Sequence, residues 1–401
     1  MREMTIYPKL LVQTCMSISW AQGTGAVLLK QLKDYPRRQV ANVFTQMYGE
    51  KELERSIWLA TEDSIKAKAV YFAYPIKQVI KGERVVEVYP YKEAKKALLR
   101  LNFLPQVLYV NAVKDKDLKI ALMLEAQFEV PTILYFQDYV EHESETFFTY
   151  LKSILENKRT KEFWVLTQEI ADDIENAIGA KAKVVNNQHI EIPVFKKEKF
   201  AQFDKDFRIV IVGTIYSAAM LNGIKTLWRV LKENLPELSP IKWYAHPKSV
   251  GKIKEMNLDI GQEIQYAGFY QGEELSKKLL EADMSIIPVN AEASAQDHIA
   301  KYSLPSRISE LASLGIPIFV LASPDTATAN YIRRTKIALC ETLSNLEACK
   351  AKVQEFIQTP EMRREFSQRA RRYAEQNLDI KVYREELYNK FIELWQSAAK
   401  G

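Results

Sequence analysis

The chain has 401 residues, 47% of them hydrophobic and 27% charged, with a formal net charge of +5 at pH 7. That length is generous for one core and comfortable for two, at roughly 100–200 residues per domain, and the apolar content excludes a disordered chain. The three cysteines, Cys15, Cys340 and Cys349, are widely spaced and odd in number, so a reducing, cytoplasmic compartment is expected rather than a disulfide framework.

No run approaches the roughly 20 apolar residues of a spanning helix. Leu10-Leu11-Val12, behind Arg2 and Lys9, is too short for a signal-peptide core and reads with Gln13 and Thr14 as a first strand. A glycine-bearing loop and a helix from about Gly25 to Lys33 follow. Further strands are expected at 39–44, 56–60, 106–110, 131–136 and 162–166. Their alternation with helical stretches is the pattern of a parallel sheet covered by helices. Residues 62–92 leave two readings open, and 76–91 fits a hairpin about Lys81-Gly82. Between Pro193 and Phe207 the chain turns to Lys, Glu, Phe and Asp without periodicity, as a linker does.

A second αβ series opens with Arg208-Ile-Val-Ile-Val-Gly213 and continues with strands near 241–245, 263–267, 284–288 and 316–321. Its sharpest local signal lies between Tyr302 and Val320. Pro305 suits a first helical position, Gly315 and Pro317 stop the helix, and Ile316, Ile318, Phe319 and Val320 form a short buried strand. Ser306 and Arg307 stand where helix amides are unpaired, which favours a bound phosphate. Glu310 shares their face one turn on, within reach of sugar hydroxyls. The same residues also fit an ordinary αβ unit with a capping serine, an exposed Arg and a solvated Glu. Two helices close the chain at 361–376 and 381–398, the last with Val382, Leu387, Phe391, Leu394 and Trp395 on a broad apolar face. The expected domains are 1–195, a linker at 196–207, 208–378, and a final helix at 379–401.

Two basic clusters, Lys92, Lys95, Lys96 and Arg100, and Arg363, Arg364, Arg369, Arg371 and Arg372, alternate with apolar residues at helical spacing and read as solvated faces. No helix-turn-helix, finger or aromatic RNA-binding motif occurs, so nucleic acid is not an expected partner. The four histidines are scattered and no Cys pair has ligand spacing, so no metal site is expected. Asp115-Lys-Asp117 and Asp204-Lys-Asp206 lie in Lys-rich, turn-like segments and read as solvated loop charge.

Four pieces then stand in a fixed order: Ile264-Gln-Tyr-Ala-Gly-Phe-Tyr270, Glu274-Leu275, Leu279-Leu-Glu-Ala-Asp-Met-Ser-Ile-Ile-Pro288, and Ser303-Leu-Pro-Ser-Arg307 with Glu310, Gly315 and Pro317. The set resembles the C-terminal half of the family 4-like group of GT-B glycosyltransferases, over residues 205–375 and more loosely over the first 200. The resemblance implies an α/β fold of two doubly wound, Rossmann-like domains facing across a cleft, the C-terminal helix crossing back to the first domain. It implies transfer of a sugar from a nucleotide diphosphate-sugar to the hydroxyl of a glycan, lipid-linked or small-molecule acceptor. No cofactor or metal is implied, and the reaction would be of the retaining kind. The first basic cluster lies where such proteins dock on membranes, so peripheral contact of the first domain with the inner face of a membrane is implied as well.

The resemblance also distributes roles. Ser303, Ser306 and Arg307 would hold the donor diphosphate with Gly213 and Thr214, Glu310 the ribose, and Phe269 and Tyr270 the nucleobase. Those two rings fit core or edge packing equally well. Gly23 and Gly25 resemble the glycine loop near the donor phosphates, or stand in a flexible turn. Asp138 is the catalytic candidate, as base or positioning group, with His142 as a second; Gln137 stands where a His is common. Asp138 also fits a turn cap before Glu141, Glu143 and Glu145. Leu166-Thr167 and Asn186-Asn187-Gln188 resemble the strand end and turn before the linker, with His189 a turn residue. Thr214 and Asn222 replace the family's Arg and Lys, leaving Arg307, Lys301 and His298 as cations. That departure keeps a non-catalytic GT-B-like subunit or scaffold of a glycosylation complex open, and beside it a nucleotide-sugar epimerase of the same fold.

Overall fold

The computed structural model describes residues 6–16, 23–46, 55–59, 84–88, 98–99, 102–137, 144–186, 188–289 and 298–400. The chain divides into two compact units, Met1–Asn187 with Ile380–Gly401, and Gln188–Asp379.

The first unit is built on strands β1 (Leu10–Met16), β2 (Val40–Gln46), β3 (Arg55–Leu59), β4 (Arg84–Val88), β5 (Val107–Ala112), β6 (Thr132–Phe136), β7 (Thr160–Val165) and β8 (Lys183–Val184). They form one parallel sheet in the order β4-β3-β2-β1-β5-β6-β7-β8. β5 and β6 are buried at every position, so helices must cover both faces. On one face Leu10, Val12, Tyr109 and Tyr135 pack with Leu28 and Leu32 of the helix Gly23–Leu32 and with Leu387 and Phe391 of the helix Ile380–Ala398. Each such side chain contributes about 1.5–3 kcal/mol on full burial. Arg384 donates to the Lys30 carbonyl at 2.6 Å and pairs with Asp34 at 2.8 Å, so the last helix caps the end of the first one. Its apolar face differs from the expected set, with Val382 57% exposed and Tyr383 and Tyr388 buried. β4 pairs in parallel with β3, and the rest of 76–91, where a hairpin is one reading, lies outside the described residues.

The second unit carries β9 (Ile209–Val212), β10 (Ile241–Tyr244), β11 (Ile264–Gly268), β12 (Met284–Pro288), β13 (Ile318–Leu321) and β14 (Leu339–Glu341). Its sheet is parallel, in the doubly wound order β11-β10-β9-β12-β13-β14, which reverses between β9 and β12. Ile209, Ile211, Trp243 and Phe319 form its core with Leu227 and Phe356. No described helix is long and apolar enough to cross a membrane.

Several local expectations change in three dimensions. Residues 188–207 pack into the second unit. Arg363 is fully buried and donates to the carbonyls of Phe356, Ile357 and Ala201, its guanidinium 4.8 Å from the Phe207 ring. Arg371 donates to Ser313 and, at 2.8 Å, to Pro193. Two members of the expected solvated face are thus interior, because a planar fork can satisfy several carbonyls at once. Asp115 and Asp117 open the helix Asp115–Phe128, and Asp117 accepts from the Val113 and Lys114 amides at 3.0 Å, a helix cap rather than loop charge. Asp204 and Asp206, by contrast, are exposed loop charge as expected, Asp204 accepting from the Asp206 amide at 2.8 Å within a turn. Pro305 is not the first helical residue; that helix spans Arg307–Leu314, and the Pro305 carbonyl accepts from Ile308 at 3.1 Å.

Candidate functional site

In an open parallel sheet the ligand crevice lies beyond the carboxyl ends of the strands, where the strand order reverses. In the second unit that point is between β9 and β12, and Gly213 follows β9 directly. Gly213 has φ +100°, a conformation that other residues adopt only under strain. Both its backbone groups are committed, its N–H to the Tyr244 carbonyl at 2.9 Å and its carbonyl to the Trp243 indole at 2.8 Å. Gly213 therefore offers space rather than a donor. A β-carbon there would stand 3.6 Å from Arg307 Nε and 3.8 Å from Arg307 Cγ, so the guanidinium lies against the bare glycine.

Arg307 opens its helix, with Ser306 before it. The amides of Ser306 and Arg307 meet no acceptor among the described residues, while the Ser306 carbonyl accepts from Ser309 Oγ at 2.7 Å. Arg307 is ion-paired with Glu310, the side chains 41% and 19% exposed. A pair so open to solvent is worth about 0–1 kcal/mol, so a ligand can separate it at little cost. The Ser303 carbonyl accepts from Thr328 Oγ1 at 2.7 Å, which anchors the approach to this helix. Gly315 closes it in the left-handed conformation, its carbonyl accepting from Ser367 Oγ at 2.6 Å.

Thr214 is exposed and its hydroxyl lies 3.2 Å from Ser249 Oγ. The ends of β10 and β11 supply rings. His246 and Phe269 stand 4.9 Å apart edge to face, and Phe269 is 41% exposed. Tyr270 folds back on Gly268 and on Tyr244, 5.6 Å between centroids, and so belongs to edge packing. Sequence reasoning passed over His246. Its signal was a His-Pro pair immediately after an apolar strand, where His246 Nδ1 now caps the Lys248 amide at 3.1 Å. Asn222 is exposed on the helix Ala218–Asn234. Lys301 lies over the Tyr302 ring at 4.8 Å.

A cavity of about 500 Å³ opens at the other end of the Arg307 helix, by Gly315, among Lys196, Phe200, Arg364, Arg371 and Arg372. Arg371 is spent there on Glu375 and on backbone carbonyls, and the amides of Ser306 and Arg307 are remote from it in the helix. The cavity therefore does not mark the ligand crevice.

In the first unit Gly23 and Gly25 lie in the opening turn of the helix Gly23–Leu32 rather than in a loop, and Gly25 is buried. Asp138 and His142 lie outside the described residues, as does the side chain of His298. His189 is half-buried, and the desolvation of its ring pulls the imidazole down to about 4; Gln188 donates to the Leu304 carbonyl at 3.3 Å. Among the described residues no group of three His, Cys, Asp or Glu is arranged to hold a metal ion.

No protein-family model and no curated protein sequence matches the chain. Solved structures do match it. Anabaena HepE in complex with UDP superposes at a TM-score of 0.66, covering 96% of this chain and 100% of that one at 12% identity. The chain has the GT-B glycosyltransferase fold. A glycosyltransferase from Rickettsia africae matches at 0.63, over 96% and 98% of the two chains with 11% identity. Sucrose-phosphate synthase from Thermosynechococcus elongatus matches at 0.62, over 97% and 99% with 12% identity. In GT-B terms, Gly213, Ser306, Arg307 and Glu310 come together at the switch point of the C-terminal unit.

Proposed function

We propose that the protein is a glycosyltransferase that moves a sugar from a nucleoside diphosphate-sugar to an acceptor hydroxyl. The observation that carries this reading is the seating of Arg307 against Gly213 at the β9–β12 switch point. A guanidinium and two open amides, Ser306 and Arg307, favour the diphosphate through charge-assisted hydrogen bonds and the helix N-terminus, without a metal. Gly213 and Thr214 shape the floor, and Ser303 positions the helix entry. Glu310, released from Arg307, accepts from ribose hydroxyls, and Phe269 with His246 forms a wall for the base. The first unit takes the acceptor, a glycan, lipid-linked or small molecule, with Asp138 or His142 as base or positioning group and the Gly23–Gly25 turn near the transferred sugar. Retention of stereochemistry and docking on a membrane belong to the same reading. UDP is the first nucleotide to test, since Anabaena HepE binds it on this fold.

One observation favours a second reading. Thr214 is engaged with Ser249 where glycosyltransferases of this group place an Arg, so among the described residues Arg307 is the cation that stands against Gly213. A nucleotide-binding subunit without transfer would fit that charge. Calorimetric titration of UDP, GDP and ADP in EDTA, with wild type and Glu310→Ala, tests the proposal. Selective binding lost in the variant supports the donor site. No binding overturns it, and binding without sugar transfer or donor hydrolysis gives the second reading.

A further inference from the structure

The first unit has a switch point too. Its strand order reverses between β1 and β5, and Thr14 pairs with Asn111 across that seam near the carboxyl ends of both strands. Asn111 is fully buried, and neither its Nδ2 nor its Oδ1 has a hydrogen-bond partner. Gln137, one residue past β6, is 2% exposed with both amide atoms unpartnered. Gln13, beside Thr14 and fully buried, is in the same state. Buried polar groups are nearly always paired, and each one left open costs free energy that folding does not recover.

Strand alternation places these groups. Val12 and Tyr109 face the core under the helix Gly23–Leu32, so Thr14 and Asn111 continue that face toward the strand ends. Asn42 joins the row, donating to Thr14 Oγ1 at 3.1 Å and to the Val12 carbonyl at 3.0 Å. Gln13 lies on the opposite face. The helix after β1, Gly23–Leu32, returns over the first face and brings its N-terminal turn to this end of the sheet.

We propose that Asn111 and Gln137 line a binding site for an uncharged, hydroxyl-rich group, the acceptor end of a neutral glycan or polyol. An amide offers two N–H donors and a carbonyl acceptor, and a hydroxyl is both donor and acceptor, so the two saturate each other. An anion would use only the N–H groups and face the carbonyl oxygens. The stretches Gln13-Thr14, Val110-Asn111-Ala112 and Tyr135-Phe136-Gln137 contain no cation. The role as acceptor rests on the transferase reading; the site itself does not.

The test uses the full chain, its Asn111→Leu and Gln137→Met variants, and four methyl glycosides as probes: glucose, galactose, mannose and N-acetylglucosamine. Methyl glucuronide and glycerol 3-phosphate are the anionic comparison. Saturation-transfer NMR reads binding, and thermal melting reads stability. The expected result is binding of neutral glycosides over the anions, weakened about tenfold or more in each variant. Because a near-isosteric apolar group removes an open amide, Asn111→Leu should also raise Tm by ~2–4 °C. A lowered Tm would mean the amide is satisfied inside the protein and overturns the proposal. So do absent glycoside binding, a preference for the anions, or unchanged affinity in both variants. UDP titration of the same samples separates the two readings. Glycoside binding without nucleotide binding removes the transferase reading and leaves this site standing; nucleotide binding without glycoside binding does the reverse.

Discussion

Gly213 and Arg307 face each other at the switch point of the second unit, the arginine Nε 3.6 Å from where a β-carbon on the glycine would stand. The space would admit a methyl group in ordinary contact. The backbone would not, because φ is +100°. Gly213→Ala should therefore destabilise by about 1–3 kcal/mol through backbone strain alone. As the loop relaxes, Arg307 loses its seat and UDP affinity should fall about tenfold. Chemical denaturation and calorimetry on the same variant separate the two effects, and a variant of wild-type stability would show that the positive φ is not required.

Arg307 and Glu310 should divide the nucleotide between them. Arg307→Lys keeps the charge but loses the planar fork, so UDP should weaken about tenfold while uridine is unaffected. Glu310→Ala should weaken UDP and uridine alike. Neither change should move stability by more than about 1 kcal/mol, since the pair is open to water. Equal losses of uridine binding in both variants would disprove this division.

His189 makes stability depend on pH. Burial lowers its folded pKa to about 4, below the ordinary value of 6.5. Between those values the unfolded chain binds more protons, so stability rises with pH. The contribution is fully present above pH 6.5 and is lost as pH falls toward 4, a change of roughly 3 kcal/mol at most. Urea melts between pH 4.5 and 7.5 should show this slope in the wild type and a flatter one in His189→Gln. Parallel slopes would place the titration elsewhere.

Burial pushes the Cys340 thiol up to about 11 and the Cys349 thiol up to about 12. At pH 7.5 both should be protonated and slow toward iodoacetamide in the native protein, and quick in urea. Peptide mapping by mass spectrometry checks each site, and rapid native alkylation of Cys349 would contradict its burial.

Much of the fold was legible because its signals are local. Leu10–Val12, Ile209–Val212 and Ile318–Leu321 are short apolar runs between turn residues, and both strand series follow from them. β8 and β14 escaped notice, being two and three residues long with no buried run. The burial of Arg363 and Arg371 was also hidden, since their acceptor carbonyls come from segments distant in sequence.

The same division holds at the sites. Spacing alone put Ser306, Arg307 and Glu310 on one helix face, because i, i+3 and i, i+4 geometry is a property of any helix. It determined the two αβ series and the stop at Gly315 as well. Only the tertiary structure seated Arg307 on Gly213, turned Tyr270 away while exposing Phe269, and left Asn111 buried beside Thr14 with an open amide. Those relationships depend on which strands become neighbours at a switch point. Strand order is set by packing whole helices over whole sheet faces, and no local pattern of residues encodes it.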